Sequence, residues 1–150
     1  MKAYRHILVP TDGSTLSLKA AKQAATLAKD LDAKITAVYV IPPWTPPAAD
    51  ESAVVASFAY TEAAYRKRSE GIADRALAKV AKAAGTRVKC EKVRVSAFRP
   101  WEGIVKAAKD AKCDLIVMAS HGRGALGGLV LGSETTKVLS HSKTPVLVCR

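Results

Sequence analysis

Cysteine is scarce in this chain of 150 residues and occurs only as Cys90, Cys113 and Cys149. An odd number of cysteines without a CxxC pair matches neither a disulfide framework nor a zinc-ligand set. We therefore expect reduced thiols that pack in or near strands, and the pattern indicates neither metal nor redox chemistry.

Long apolar runs are also lacking. No segment approaches the ~20 apolar residues that are needed to span a bilayer. Residues 1–6 lead directly into an apolar strand and lack the apolar region of a secretory leader. We expect a soluble, cytoplasmic protein without membrane contact.

Acidic residues are few. The chain has 13 Asp and Glu against 24 Lys and Arg, which gives a formal net charge of +11. Such an excess attracts acidic partners such as nucleotides, nucleic acids and anionic lipids, but the net charge does not distinguish among these partners. The densest basic cluster, residues 66–68, is flanked by Glu62 and Glu70 at helical spacings, which is typical of an ordinary solvated face. A nucleic-acid-binding patch is therefore the less favoured alternative.

Segments typical of strands alternate with segments typical of helices along the whole chain. Apolar and β-branched residues predict strands at residues 7–9, 35–41, 87–95, 115–118 and 145–149. Helices are predicted at about 16–31, 51–84, 100–111 and 134–141, with Ser14 as the first cap and Gly85 as the end of the second helix. The alternation of the third strand slips between Cys90 and Val93, which predicts a bulge or an early strand end.

Five strands alternating with four helices predict one α/β domain over residues 1–150. The expected architecture is a doubly wound parallel sheet whose strands are joined by right-handed crossovers. A chain of this length can bury a substantial core. No long internal repeat or second domain is visible.

A glycine-rich stretch, residues 118–134, connects the fourth strand to the last helix. Ser133 is predicted to cap that helix, and Glu134 suits its positive end. A strand, a glycine loop and a helix start in this order favour an anion, because the loop lets backbone N–H groups approach a phosphate. The stretch lacks the lysine of a P-loop, and its GxGxxG lies too near the C-terminus for a dinucleotide-binding domain. The alternative is a surface loop whose glycines serve only tight turns.

Two segments carry a family resemblance. Residues 7–14 resemble the first strand and turn of the universal stress protein family. Ser120-His121-Gly122, followed after nine residues by Gly132-Ser133 and closed by residues 144–148, resembles that family's nucleotide-binding segment. The resemblance covers the whole chain. The ATP-binding members carry a Gly-x-x-Gly-x9-Gly-Ser/Thr pattern, and Ala119 stands in place of its first glycine.

This resemblance implies a Rossmann-like sheet of the adenine nucleotide alpha hydrolase type, with strand order 3-2-1-4-5. Strands one and four would then lie side by side at the switch point of the sheet. Ligands of such sheets bind at the carboxyl ends of the strands. We expect the two matching segments to meet there and to bind ATP, with or without Mg²⁺.

The resemblance also assigns roles to individual residues. Asp12 would accept hydrogen bonds from ribose hydroxyls or adenine, although it could instead only shape the turn or hold Mg²⁺ through water. The backbone of Val40 would contact adenine, and Gly122, Gly132 and Ser133 would meet the phosphates. The complete predicted binding site consists of Pro10, Thr11, Asp12, Val40, Ala119, His121, Gly122, Arg123, Gly132, Ser133 and Glu134.

Two side chains of the glycine-rich stretch leave alternatives open. Arg123 could pair with a terminal phosphate or remain solvated. His121 could act as a general base, but no second acid or nucleophile is visibly paired with it, so a loop-shaping role is favoured. The chain also offers no Walker-B partner for a metal ion. We predict no catalytic residues and no metal-ligand set, and ATP hydrolysis that is slow at most.

The leading hypothesis is a cytoplasmic stress-response protein that binds ATP and signals through nucleotide occupancy and dimerisation. In the implied order the last strand, residues 145–149, lies at a sheet edge, where unpaired backbone groups favour pairing with a second copy. The alternative is a dimeric interaction module of the same fold that no longer binds nucleotide because Ala119 crowds the site. A basic nucleic-acid-binding protein is less favoured.

Overall fold

The protein alternates strands and helices as the sequence predicts, and the computed structural model describes residues 4–46, 61–122 and 130–150. The strands are β1 (His6–Pro10), β2 (Lys34–Ile41), β3 (Cys90–Ser96), β4 (Leu115–Ala119) and β5 (Val146–Cys149). The helices within these ranges are α1 (Thr15–Asp30), α2 (Glu62–Ala84), α3 (Pro100–Asp110) and α4 (Ser133–His141). In this part of the chain no helix has both the length and the apolar character that crossing a membrane requires.

The five strands form one parallel sheet in the order β3-β2-β1-β4-β5, which confirms the strand order that the resemblance implies. β1 lies in the middle and pairs with β2 on one side and with β4 on the other. The connections that follow β1 and β4 start from neighbouring points and lead to helices on opposite faces of the sheet. Open sheets of this class form their ligand cleft at such a point.

Both faces of the sheet are covered, which explains why the strands lack polar alternation. α1 and α2 cover one face, and α3 and α4 cover the other. Consecutive residues of β1 divide between the two layers, with Ile7 and Val9 on the α1 side and Leu8 on the α3 side. α1 meets the sheet through alanines, whose small side chains let the helix approach closely; these are Ala20, Ala21, Ala24, Ala25 and Ala28.

Side chains cap the starts of the first two helices. Ser14 accepts a hydrogen bond from the Ser17 N–H at 3.1 Å, as predicted. Thr61 is extended, with φ −80° and ψ 156°, and accepts from the Ala64 N–H at 3.1 Å. The prediction of one long helix over residues 51–84 is therefore wrong at Thr61, whose extended backbone caps a helix that starts at Glu62; residues 51–60 lie outside the described ranges.

The helices end in two different ways: one end has glycine in the left-handed region, and two have another residue there. α2 ends at Gly85, as predicted, with a φ of +71° that favours glycine. The residues that follow the C-caps of α1 and α3 are instead Asp32 and Lys112, whose φ values are 53° and 54°. In each case the next N–H bonds back into the helix, as in the bond of 2.8 Å from the Ala33 N–H to the Ala28 carbonyl. This hydrogen bond holds a residue other than glycine in the left-handed region, and the chain continues directly into the next strand.

The third strand differs from its prediction. It begins at Cys90 instead of residue 87, and its pairing with β2 runs without interruption from Ile35 opposite Cys90 to Ile41 opposite Ser96. No bulge interrupts this register. The slip in the sequence pattern arises because β3 is an edge strand with mostly exposed side chains, so burial does not impose alternation.

The three cysteines are free thiols in β3, in β5 and just before β4. Burial raises the pKa of all three, that of Cys113 to about 11. The thiolate is the form that reacts and binds metals, and a raised pKa leaves little of it at neutral pH. The thiols therefore contribute packing.

His6 provides a buried titratable group at the start of β1. Its Nε2 lies 2.7 Å from the Thr36 hydroxyl, and the side chain is buried. Burial lowers the pKa of His6, the charge of Lys34 lowers it further, and Glu91 and Asp114 oppose both.

We expect this histidine to make the protein less stable in acid. Because the pKa of His6 is lower in the folded state than its ordinary value of 6.5, the unfolded state binds more protons as the pH falls. Its contribution to the free energy of unfolding is complete above pH 6.5 and decreases below it. Urea titrations of the wild type and of His6→Gln between pH 5 and pH 8 should show a weaker pH dependence in the variant. If the free energy of unfolding changed equally with pH in the two proteins, this role of His6 would be contradicted.

Candidate functional site

A cleft of about 680 Å³ opens at the carboxyl end of the sheet, between the connections that follow β1 and β4. Its lining comes from the ends of β1, β2 and β4 and from the first turns of α3 and α4. Arg123 lies outside the described residues. All the other predicted site residues line the cleft: Pro10, Thr11, Asp12, Val40, Ala119, His121, Gly122, Gly132, Ser133 and Glu134.

The turn after β1 is fixed by its own side chains. One carboxylate oxygen of Asp12, Oδ1, accepts from the Ser14 N–H at 2.9 Å, so this residue does shape the turn. The Thr11 hydroxyl accepts from the Gly13 N–H at 3.1 Å and lies 3.0 Å from the Ser17 hydroxyl. Gly13 has a φ of +81°, which a residue with a Cβ rarely adopts. These bonds hold Asp12 at the edge of the cleft.

The two matching segments meet across this edge. A Cβ added to Gly122 would lie only 2.9 Å from Oδ2 of Asp12, so the turn after β4 passes directly beside the carboxylate from the turn after β1. A side chain at this point would have to displace the Asp12 carboxylate. The meeting of the segments at the switch point, which the resemblance implies, is thus present in the structure.

His121 has partners at both ring nitrogens. Nδ1 lies 2.9 Å from the Ser120 hydroxyl, and Nε2 contacts the carbonyl oxygen of Val130. A carbonyl only accepts hydrogen bonds, so Nε2 donates and Nδ1 accepts from the hydroxyl. The geometry supports the loop-shaping role of His121, which ties the end of β4 to the residues that precede α4.

Gly132 differs in two ways from its expected role. It stands at the N-cap position of α4, so the prediction of Ser133 as the cap is wrong; Ser133 is the first helical residue. The Gly132 N–H donates to the Ser120 carbonyl at 2.8 Å and is not available to a phosphate. A Cβ at this position would lie 3.2 Å from that oxygen and 3.3 Å from the Cα of His121, so glycine is needed here for close backbone packing.

Ala119 fits the end of β4 without strain. Among the described residues other than glycine, only Asp32 and Lys112 have positive φ, so this position does not need a glycine backbone. Its carbonyl accepts from the Thr135 hydroxyl at 3.0 Å, and its methyl group packs in the cluster on the α1 side. This packing weakens the argument that Ala119 crowds the cleft.

Other lining residues were not predicted. Apolar side chains that the sequence explains as core also form a wall of the cleft, and periodicity does not distinguish the two roles. Their positions near strand ends or near a helix start could have indicated that they line the cleft. They include Val38, Tyr39, Ile104 and Met118.

Gly103 of α3 sets the position of this wall. A Cβ at Gly103 would lie 2.7 and 2.8 Å from the two terminal carbons of Val40, so the helix can approach β2 only because this residue has no side chain.

We expect Gly103→Ala to destabilise the protein by about 1–2 kcal/mol, since overpacking outweighs the gain in helix propensity. The matched control is Gly71→Ala in α2, where the new Cβ would meet, of the residues that the structure describes, only the Arg75 guanidinium at 3.5 Å. Gly71→Ala should be neutral or stabilising in denaturant titrations. A Gly103→Ala protein as stable as the wild type would contradict the contact with Val40.

Ionisable side chains are few in the cleft. Its described lining contains the carboxylates of Asp12 and Glu134, the imidazole of His121 and the phenol of Tyr39, and no lysine or arginine. Among the described residues no group of three or more His, Cys, Asp or Glu side chains could hold a metal ion. The arrangement thus offers an apolar wall, a carboxylate beside glycine and the start of a helix, which are elements of a binding site.

Comparison with known proteins agrees with this architecture. A model of the universal stress protein family matches residues 3–150. Universal stress protein MJ0531 of Methanocaldococcus jannaschii is 36% identical over 153 residues, which cover 98% of this chain and 82% of the relative.

Solved structures share the fold. The universal stress protein UspA from Lactobacillus plantarum is 26% identical, covers 100% of both chains and superimposes with a TM-score of 0.70. A universal stress protein solved in complex with cAMP is 27% identical, covers 99% of this chain and 98% of its own, and has a TM-score of 0.66. From its sequence match and its fold, this chain belongs to the universal stress protein family.

Proposed function

We propose that the protein binds an adenine nucleotide in the cleft between the turns after β1 and β4. The observation that carries this proposal is the close approach of Gly122 to Asp12, which places a carboxylate suited to ribose hydroxyls beside the turn that follows β4. The volume of about 680 Å³ suits a ligand of nucleotide size. The related universal stress protein in complex with cAMP supports the same ligand class.

The cleft gives each part of a nucleotide a suitable environment. Val38, Val40 and Ile104 offer an apolar wall for a base, and Asp12 lies where ribose hydroxyls can donate to it. The first turn of α4 also borders the cleft, and N–H groups at a helix start bind phosphate. ATP, with or without Mg²⁺, is the nucleotide that the family resemblance implies.

We propose that the nucleotide acts through occupancy and that turnover is slow at most. His121, the best candidate for a base in the cleft, is held by Ser120 and Val130. A cytoplasmic stress-response protein that signals in this way fits the family.

Equilibrium dialysis against labelled ATP, AMP and GTP tests the proposal: adenine nucleotides should bind and GTP should bind weakly. Absence of adenine nucleotide binding would favour the alternative, an interaction module without a nucleotide.

We also propose a homodimer through β5. The two edges of the sheet differ: β3 carries the charged residues Glu91, Lys92 and Arg94 beside two valines, whereas β5 consists of Val146, Leu147, Val148 and Cys149 and carries no charged residue. Leu147 is 44% exposed. Charged side chains protect an edge strand from pairing, and an apolar edge favours it. A second copy that pairs antiparallel across a two-fold axis would cover this edge.

A further inference from the structure

The described lining of the cleft carries a charge opposite in sign to that of the whole protein. The chain carries a formal net charge of +11, yet the described lining of the cleft contains two carboxylates and no lysine or arginine. If Arg123 is counted from the sequence, the predicted site residues still have two carboxylates against one guanidinium. Such a lining does not neutralise a highly charged phosphate chain.

Glu134 has the more significant position of the two carboxylates. It is the second residue of α4, whose start borders the cleft. A carboxylate in the first turn of a helix offsets the positive charge of that end, which is the charge that attracts phosphate. The residue therefore weakens the principal source of anion affinity in the described cleft.

The Glu134 carboxylate is held in place from two sides. Its Oε2 accepts from the backbone N–H of Trp101, the second residue of α3, at 2.9 Å. Its Oε1 lies 3.3 Å from the Lys137 ammonium, in an ion pair that is partly exposed and hence screened by water. The hydrogen bond fixes the negative charge between the starts of two helices that border the cleft.

We infer that Glu134 is a specificity-determining residue that weakens the binding of ATP relative to AMP. This inference rests on the proposed adenine nucleotide site. ATP carries roughly twice the negative charge of AMP. The fixed carboxylate repels the longer phosphate chain more strongly, while the base and ribose contacts are common to both ligands.

The test compares AMP and ATP in the wild type and in Glu134→Gln. Glutamine keeps an oxygen that can accept from the Trp101 N–H, and it removes the charge. Titrations without Mg²⁺ and at constant low ionic strength should show the ratio Kd(ATP)/Kd(AMP) falling about fivefold in the variant, as expected for charges interacting near a protein surface. The affinity for AMP should change less than that for ATP.

Glu102→Gln is the matched control. Glu102 lies in the first turn of α3 and pairs with Arg99 at 3.7 Å, but it does not line the cleft. This variant has the same change in total charge and should leave the ratio unchanged. A second comparison places Glu134→Gln in a Lys137→Gln background, where the ratio should again fall because the carboxylate itself is the cause.

Three results would overturn the inference. An unchanged ratio in Glu134→Gln, with both nucleotides still binding, would reject Glu134 as a determinant and leave the proposed function intact. A change that disappears in the Lys137→Gln background would assign the effect to the released lysine. Failure of AMP and ATP to bind to either protein would reject the proposed function and this inference together.

Discussion

In the Gly122→Val protein we expect the affinity for adenine nucleotides to fall about tenfold to a hundredfold, since displacing the Asp12 carboxylate removes a charged hydrogen-bond acceptor that is worth roughly 1.5–3 kcal/mol. The new side chain would start 2.9 Å from Oδ2 of Asp12 and would displace that carboxylate from the edge of the cleft. Among the described residues, the only close neighbour is the end of a flexible side chain, and the φ of Gly122 is not in the left-handed region. The sheet should therefore remain folded, which isolates the loss of binding.

The same substitution at Gly132 is a less specific test. There the neighbours of the new Cβ are the Ser120 carbonyl oxygen and the Cα of His121, so Gly132→Val would distort the turn as well as the cleft. Gly71→Val, away from the cleft in α2, is the control for adding a β-branched side chain. Thermal melting establishes that each variant is folded. Wild-type affinity in a folded Gly122→Val protein would reject the site.

The second large effect concerns assembly: Val148→Pro should convert a dimer into a folded monomer. In β5 the carbonyls of Pro145 and Cys149 accept from the Ile116 and Ser120 N–H groups of the β4 side, at 2.9 and 2.7 Å. Because alternate residues of a strand face the same neighbour, the N–H of Val148 points to the open edge. Proline removes that donor and leaves the bonds to β4 intact.

Two control variants separate dimer contacts from folding. Lys92→Pro places a proline at the corresponding outward position of β3, since the Ile35 N–H donates to the Lys89 carbonyl and residues 92 and 94 therefore face away from β2. It should leave the assembly unchanged. Leu147→Pro, which removes a donor that faces β4, should destabilise the fold itself. Sedimentation of the wild type as a monomer well above micromolar concentration would remove the basis for the dimer.

The sequence predicts the layers of this fold better than its element ends. Periodicity and strand composition are imposed by burial on both faces, so the alternation of strands and helices could be read directly. The ends at Asp32 and Lys112 could not, because their positive φ is held by hydrogen bonds of the following residue and not by glycine. The start of α2 at Glu62 was missed because helix-forming residues also precede its cap, Thr61.

For the candidate site, too, the sequence predicts the position but not the detailed contacts. Motif spacing and the family resemblance located every predicted residue that the structure describes at one cleft. What spacing could not show is which groups are already occupied: the Gly132 N–H by Ser120, and both ring nitrogens of His121. Nor could it show that Gly103 allows α3 to approach Val40, because that contact joins two elements distant in sequence.

The most direct test of the central claim is an NMR titration of the labelled protein with AMP, followed through its backbone amides. Binding in the cleft should shift the resonances of Asp12, Val40, Gly122 and Ser133 in a saturable manner, and Lys92 on the far edge should not move. Saturable shifts confined to the basic residues 66–68 of α2, or no shifts at millimolar AMP, would contradict an adenine nucleotide site between β1 and β4.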